Sequence, residues 1–241
     1  MSAARRDPRS HAHPREAPPR ATPATEPTSP PPPPPDPSLA GLHPPIARPL
    51  GDVTTERLAL RRPQARDLEA LARVFAVREV WQFPYGRGFT RDETQAFLAS
   101  QLGAWETTGF GLWLAHLGEQ GPLIGFVGLS VPTFLPEVLP AVEVGWRLHP
   151  AHWGRGYATE GARAALHEAF TTLGLPQVCS IPQSDNPASW AVCERLALHL
   201  ERPVTIPANA RRGSLHARLY TLTRAQWDAS TSASHGSARP S

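Results

Sequence analysis

Apolar positions along residues 56–223 recur with two alternating rhythms. Residues 56–62 set Leu58 and Leu60 between charged neighbours, the period-two pattern of a half-buried strand. Leu68, Leu71, Val74 and Phe75 then return at helical spacing behind Asp67, a residue type suited to an N-cap. Thr90 and Glu93 have the spacing of a capping box ahead of a second helix through Phe97, Leu98 and Leu102. Two apolar runs, 112–117 and 123–131, joined by the Gly- and Pro-bearing 118–122, read as a hairpin. A proline-containing loop over 132–140 leads to an alternating strand, 141–149, and a glycine-rich turn precedes a helix over 161–173. Residues 177–181 suit a short buried strand, Pro187 opens a helix reaching about residue 197, and 198–206 with 215–223 read as a closing antiparallel pair. The order predicts a central mixed sheet flanked by helices, in the α/β or α+β class, with no internal repeat.

Successive side chains of a strand point to opposite faces, so 141–148 divides into two sets. Val142, Val144, Trp146 and Leu148 form an apolar face suited to packing on a helix; Ala141, Glu143, Gly145 and Arg147 form the other. The second set is too small and polar for a core and is expected to line a cleft, with Glu143 as its carboxylate. Glu143 and Arg147 lie about 13 Å apart along a strand, too far for a direct ion pair, so each needs other neighbours.

The turn that follows, His152-Trp153-Gly154-Arg155-Gly156-Tyr157-Ala158-Thr159-Glu160, carries the densest chemical signal. A strand that passes through glycines into a helix aims several N–H groups and the positive end of the helix dipole at one spot, a ready anion site. Gly154 and Gly156 allow positive φ and close approach of a phosphate, and Ala158 keeps the first helical turn small. A P-loop is excluded, since it ends in Gly-Lys-Ser/Thr and the chain contains no lysine. The dinucleotide fingerprint is excluded too: Thr159 stands where its third glycine belongs.

With these flanks the stretch resembles the pyrophosphate loop of the GNAT superfamily of N-acetyltransferases, Gln/Arg-x-x-Gly-x-Gly/Ala, with Trp153, Gly156 and Ala158 in its places. The variant Trp-Gly-x-Gly-Tyr-Ala-Thr-Glu is similar to the RimJ/RimL-like branch, and the resemblance runs from about Thr55 to Trp227. It implies a mostly antiparallel sheet with a splayed strand pair, and acetyl-CoA as co-substrate. Leu148 and its neighbours would pair with the pantetheine arm, and the amides of 154–159, with Arg155, Tyr157 and Thr159 among them, would hold the pyrophosphate. Asn186 and Ser189 match a family Asn-x-x-Ser motif that contacts the cofactor arm, although both also suit a helix cap. Three places depart from the pattern, the first being Trp153, which stands where the loop begins with Gln or Arg. Cys193 stands where many members carry a tyrosine acid, and Ala197-Leu198 replaces Gly-Phe. Trp81, Phe83, Tyr85 and Trp105 fall in the region that forms the acceptor rim in similar proteins.

Acetyl transfer to an amine needs a group that accepts the ammonium proton, and a desolvated Glu143 is the candidate base. The expected function is transfer from acetyl-CoA to a primary amine, a protein N-terminus or a small molecule. A covalent acyl-Cys193 route and a degenerate acyl-CoA-binding or partner-binding module are the other readings.

Composition narrows this further. The first fifty residues hold 16 of the 29 prolines, including the run 30–35, and are expected to form a disordered or polyproline-like tail. No apolar stretch follows the basic start, so no secretory signal is expected. Residues 51–228 are assigned to the acetyltransferase domain and 229–241 to a second tail. That domain carries 17 arginines and 17 acids, so no nucleic-acid footprint is expected. No run approaches the roughly 20 apolar residues of a membrane span. Two cysteines do not make a disulfide framework, and a reduced, cytoplasmic setting follows. The 10 histidines lack ligand spacing, so no metal is expected.

Overall fold

A computed structural model describes Ile46 and residues 48–236. The Pro-rich stretch read as a tail lies, up to residue 45, outside the described residues, as do 237–241. Eight strands form one sheet in the order β1-β2-β3-β4-β5-β6-β8-β7. They are β1 (Val53–Thr54), β2 (Leu58–Arg61), β3 (Leu112–Leu117), β4 (Leu123–Ser130), β5 (Glu143–Leu148), β6 (Gln177–Ser180), β7 (His199–Ile206) and β8 (Leu215–Thr223). Helices α1 (Leu68–Phe75), α2 (Gln82–Tyr85) and α3 (Arg91–Thr108) precede β3; α4 (Tyr157–Thr171) joins β5 to β6, α5 (Pro187–Arg195) follows β6, and α6 (Arg224–Gly236) closes the described chain. Every neighbouring pair is antiparallel except β5 and β6, which are parallel.

Strand alternation distributes the core over both faces of this sheet. Trp113, Ala115, Val127, Val144 and Leu148 join the small residues of α4, Ala162, Ala165 and Ala169, in one cluster. Leu112, Leu114 and Phe126 point the other way and meet Leu71, Val74 and Phe75 of α1. There Phe75 stands edge-on to Trp81 with centroids 4.9 Å apart, and Trp81 stacks on Phe89 at 3.8 Å.

Several boundaries move. The body starts before residue 51: Leu50 is buried, its amide donates to Gly109 O at 2.8 Å, and Ile46 packs on the core. Residue 228 is no end either, since α6 continues to Gly236. Helix α4 begins at Tyr157 rather than 161, because Gly156 in the left-handed region (φ 82°) already accepts the first helical bond from Glu160 N–H. The apolar rhythm sets in only after that first turn, which hid it. Asp67 does not cap α1: its carboxylate accepts from Gln64 N–H at 2.7 Å, closing the turn before it. The Thr90–Glu93 capping box heads α3 as expected.

Ala197, directly after α5, adopts φ 59°, while Leu198 N–H closes onto Cys193 O at 3.0 Å. A left-handed residue after a helix is the usual place for glycine, and a Cβ there costs about 1 kcal/mol. Ala197→Gly is therefore expected to stabilise the domain by about 1 kcal/mol, read as a raised urea midpoint. An unchanged or lowered midpoint would show that the turn carries no strain.

Candidate active site

Strand β5 pairs with β4 along its whole length, from Gly125↔Leu148 to Ser130↔Glu143. With β6 it shares a single pair, Glu143↔Cys179, where Cys179 N–H donates to Val142 O at 2.9 Å. Parallel ladders use every second amide, so Ile181 N–H is the next donor toward β5. It turns instead onto the Glu143 carboxylate, at 3.3 Å, and Pro182 beyond it has no N–H to give. The strands part from there.

The parting leaves one edge of β5 open. His149 N–H donates to Ile124 O on β4, so the main-chain groups two and four residues back point the same way and those of Trp146 and Leu148 face the gap. Leu148 was expected to offer its main chain here, but its carbonyl already accepts from the Trp153 indole at 2.7 Å, which leaves its amide. Trp153 is itself half exposed beside the turn.

Glu143 lies at the crotch of this split. Ser130 Oγ donates to its other oxygen at 3.5 Å. Burial is the largest influence on it and pushes its pKa up to about 7, against the hydrogen bonds from Ile181 and Ser130 and the positive charge of Arg147. Val142, Val144 and Leu148 pack toward α4 and Glu143, Gly145 and Arg147 line a cleft of about 750 Å³, as the two-face reading of β5 has them, but Ala141, assigned to the cleft face, packs instead with Leu135, Cys179 and Ile181. Trp146 touches both the core and the cleft. Glu143 and Arg147 form no ion pair; Arg147 Nη1 donates to Val80 O and Phe83 O, both at 2.5 Å.

Past β5, Gly154 and Gly156 both take positive φ, 71° and 82°, and the amides of Tyr157, Ala158 and Thr159 have no acceptor among the described residues. This is an open helix N-terminus of a 15-residue helix. The turn is braced from a distance. Glu160 accepts from Thr55 Oγ1 (2.6 Å), Arg57 N–H (2.8 Å) and Arg57 Nε (2.6 Å), and Arg57 Nη1 reaches Arg155 O at 3.0 Å. The same guanidinium lies 4.7 Å from the Tyr157 ring centroid. The hydrogen bonds hold the Glu160 pKa below its ordinary value despite burial. Arg155 itself is exposed. Neither Thr55 nor Arg57 carried a sequence signal for this role, since each acts about 100 residues away along the chain.

Asn186 and Ser189 line the same cleft, and Asn186 Oδ1 also caps α5 by accepting from Ser189 N–H at 3.2 Å. Trp81, Phe83 and Tyr85, expected at the acceptor rim, line the cleft. Trp105 does not: it is buried in the core with its indole donating to Leu112 O at 3.2 Å. Cys193 is fully buried, bonded to Ser180, and its thiol is pushed up to about 12 by desolvation. It is absent from the cleft wall, which removes the geometric basis for an acyl-Cys193 route. Among the described residues no group of His, Cys, Asp and Glu could hold a metal ion, and no helix is long and apolar enough to cross a membrane.

The family model for the acetyltransferase (GNAT) domain matches residues 57–199. FsC-acetyl coenzyme A-N(2)-transacetylase of Aspergillus fumigatus is 34% identical over 158 residues, 59% of this chain and 63% of that protein; the chain thus spans under two thirds of that relative. An acetyltransferase from Agrobacterium tumefaciens superposes with a TM-score of 0.59 at 30% identity, covering 72% of this chain and 94% of that one. RimL, a ribosomal L7/L12 alpha-N-protein acetyltransferase solved in complex with coenzyme A, shares the fold with a TM-score of 0.58 at 16% identity, over 71% of this chain and 96% of that one.

The cleft rim is tied by one buried carboxylate. Glu93 bonds Arg87 at 2.6 Å and Arg211, from the β7–β8 loop, at 3.5 Å, so it links α3 to the opposite wall. The Arg87 hydrogen bond, against burial, holds its pKa down at about 2. A depressed carboxylate stabilises above its unfolded value near 4.5 and loses that contribution as pH falls toward 2. Glu93→Gln is expected to cost about 3 kcal/mol at pH 7, a gap that closes between pH 4.5 and 2 in urea titrations. A gap independent of pH would assign the loss to packing.

Proposed function

The chain belongs to the GNAT acetyltransferase family, and from that premise we propose that it is an N-acetyltransferase, RimJ/RimL-like, moving an acetyl group from acetyl-CoA to a primary amine by direct attack in a ternary complex. The observation that carries this reading is the placement of Glu143, a carboxylate with its pKa pushed up to about 7, where β5 and β6 separate.

Acetyl-CoA supplies an activated acyl group as its thioester. The amides of 157–159, with Gly154, Gly156 and Arg155 in the turn before them, would hold its diphosphate, and hydrogen bonds to charged groups of about 1.5–3 kcal/mol each make a few sufficient for micromolar affinity. The free main-chain groups of Trp146 and the Leu148 amide would meet the pantetheine arm, with Asn186 and Ser189 across the gap. Glu143 takes a proton from the acceptor nitrogen as the C–N bond forms and the C–S bond breaks; a main-chain amide at 146–148 stabilises the carbonyl oxygen as it gains charge. A base near pKa 7 is suited to this at neutral pH, being half ionised yet stronger than an ordinary carboxylate.

The acceptor is proposed to be a small-molecule or peptide amine. The names of the Aspergillus relative and of RimL each specify acetylation at nitrogen in those proteins, which supports an amine here. Two buried, unpaired cysteines support a reducing, cytoplasmic setting, and the balance of arginines and acids supports neither nucleic-acid nor membrane partners.

Glu143→Gln is expected to lower kcat about 10²- to 10⁴-fold, the usual range for a general base, with the acetyl-CoA dissociation constant unchanged by calorimetry. Because the ionised form is the base, wild-type kcat should rise about tenfold from pH 6 to pH 8 through a midpoint near 7, and the variant should lose that rise. Retention of the midpoint in Glu143→Gln would reassign the base, and absence of thiol release with every amine would reduce the protein to a binding module.

A further inference from the structure

Arg147 is a cation built into the cleft wall, and among the described residues no carboxylate forms an ion pair with it. Its Nη1 is taken by Val80 O and Phe83 O, and its guanidinium lies over the Trp81 ring, 4.1 Å from the centroid. Its Nε is buried and has no acceptor among the described residues; the same is true of Trp81 Nε1. Two donors on side chains in face contact are thus left unsatisfied at one place on the wall, an arrangement that native interiors avoid unless something else supplies the acceptor. Desolvation lowers the Arg147 pKa only to about 10, so the group stays charged at neutral pH.

The charges around it are one-sided. The charged side chains lining the cleft are Glu143, Arg147, Arg211 and Arg212; Arg211 is tied to Glu93, and the single acid of the lining is half ionised near pH 7. Arg147 also projects from the β5 face opposite Val144 and Leu148, which pack with α4. It therefore stands apart from the amide turn at the start of α4, the part of the site suited to a diphosphate.

We propose that Arg147 and the Trp81 indole N–H receive a carboxylate of the acceptor, so that the acceptor is an amino acid or close derivative, a primary amine that also bears a carboxylate. This rests on the acetyl-transfer reading of the same cleft. Glu143 and Arg147 share one strand face with Cα atoms about 13 Å apart, and both line the same cleft, Glu143 where the strands part and Arg147 against Trp81. An amine at the Glu143 end and a carboxylate at the Arg147 end match the two poles of that face. A polyamine would set a cation against Arg147 and leave both donors unsatisfied.

The test compares matched acceptors on the full chain, L-phenylalanine with phenethylamine and L-leucine with isoamylamine, by thiol release. The acids are expected to be preferred in kcat/KM by at least about tenfold, mainly through KM. The preference should fall to near unity in Arg147→Met and stay intermediate in Arg147→Lys, which keeps charge but loses the fork. Calorimetry of N-acetyl-L-phenylalanine against N-acetylphenethylamine on CoA-saturated protein should give the same order without any turnover. Equal kcat/KM within each pair, an equal loss for both members in Arg147→Met, or equal or absent binding of the two acetylated ligands would overturn the proposal. Transfer to the decarboxylated amines as efficient as to the acids would leave acetyl transfer standing and remove the carboxylate site. A persistent calorimetric preference with no thiol release would do the reverse.

Discussion

The hydrogen bond from Ile181 N–H to Glu143 is where a sheet becomes a site. Had that amide continued the parallel ladder, β5 and β6 would have closed along their length, and the main chain of Trp146 would be satisfied by a neighbouring strand. Diverting one donor onto a side chain does two things at once. It leaves an unpaired strand edge able to accept an extended ligand arm, and it fixes a carboxylate at the point where that edge begins. Pro182 secures the outcome, because it cannot donate to β5 and its own carbonyl is committed to Arg218 on β8 at 2.9 Å.

The same bond sets the chemistry of Glu143. A carboxylate that accepts from an amide and a hydroxyl is normally held below its usual pKa, yet here burial outweighs both and drives it to about 7. Arg147 pulls the other way but weakly, since its own guanidinium is drawn toward the carbonyls of Val80 and Phe83. The four-residue spacing along β5 therefore keeps base and cation in one cleft without letting them neutralise each other.

What the sequence discloses divides along this line. The two faces of β5, the anion-seeking turn at Gly154 and Gly156, the Thr90–Glu93 box and the hairpin are each written within a few consecutive residues, where period and residue type suffice. The Thr55–Arg57–Glu160 brace, the Trp153 indole on Leu148 O and the Glu93–Arg211 tie are made by side chains whose partners are chosen by topology. Glu160 illustrates the limit: it reads as an acidic residue suited to the first turn of a helix, whereas three donors from the β1–β2 turn consume both of its oxygens. Trp105 fails in the opposite sense. Its sequence neighbourhood placed it at the rim, but the face of α3 it occupies turns into the core.

Proton balance limits the roles left for Cys193. A group with its pKa pushed up to about 12 cannot give its proton to a departing thiolate, whose conjugate acid lies near 8.5, without an uphill transfer of several kcal/mol. Within the proposed reaction no such donor is required. Glu143 near 7, once it has taken the acceptor's proton, is a stronger acid than that thiol, so passing the proton on is downhill, and a thiolate is in any case a competent leaving group at pH 8. Replacing the family's tyrosine with a buried thiol is thus compatible with turnover, because the raised carboxyl, once protonated, is a stronger acid than the departing thiol.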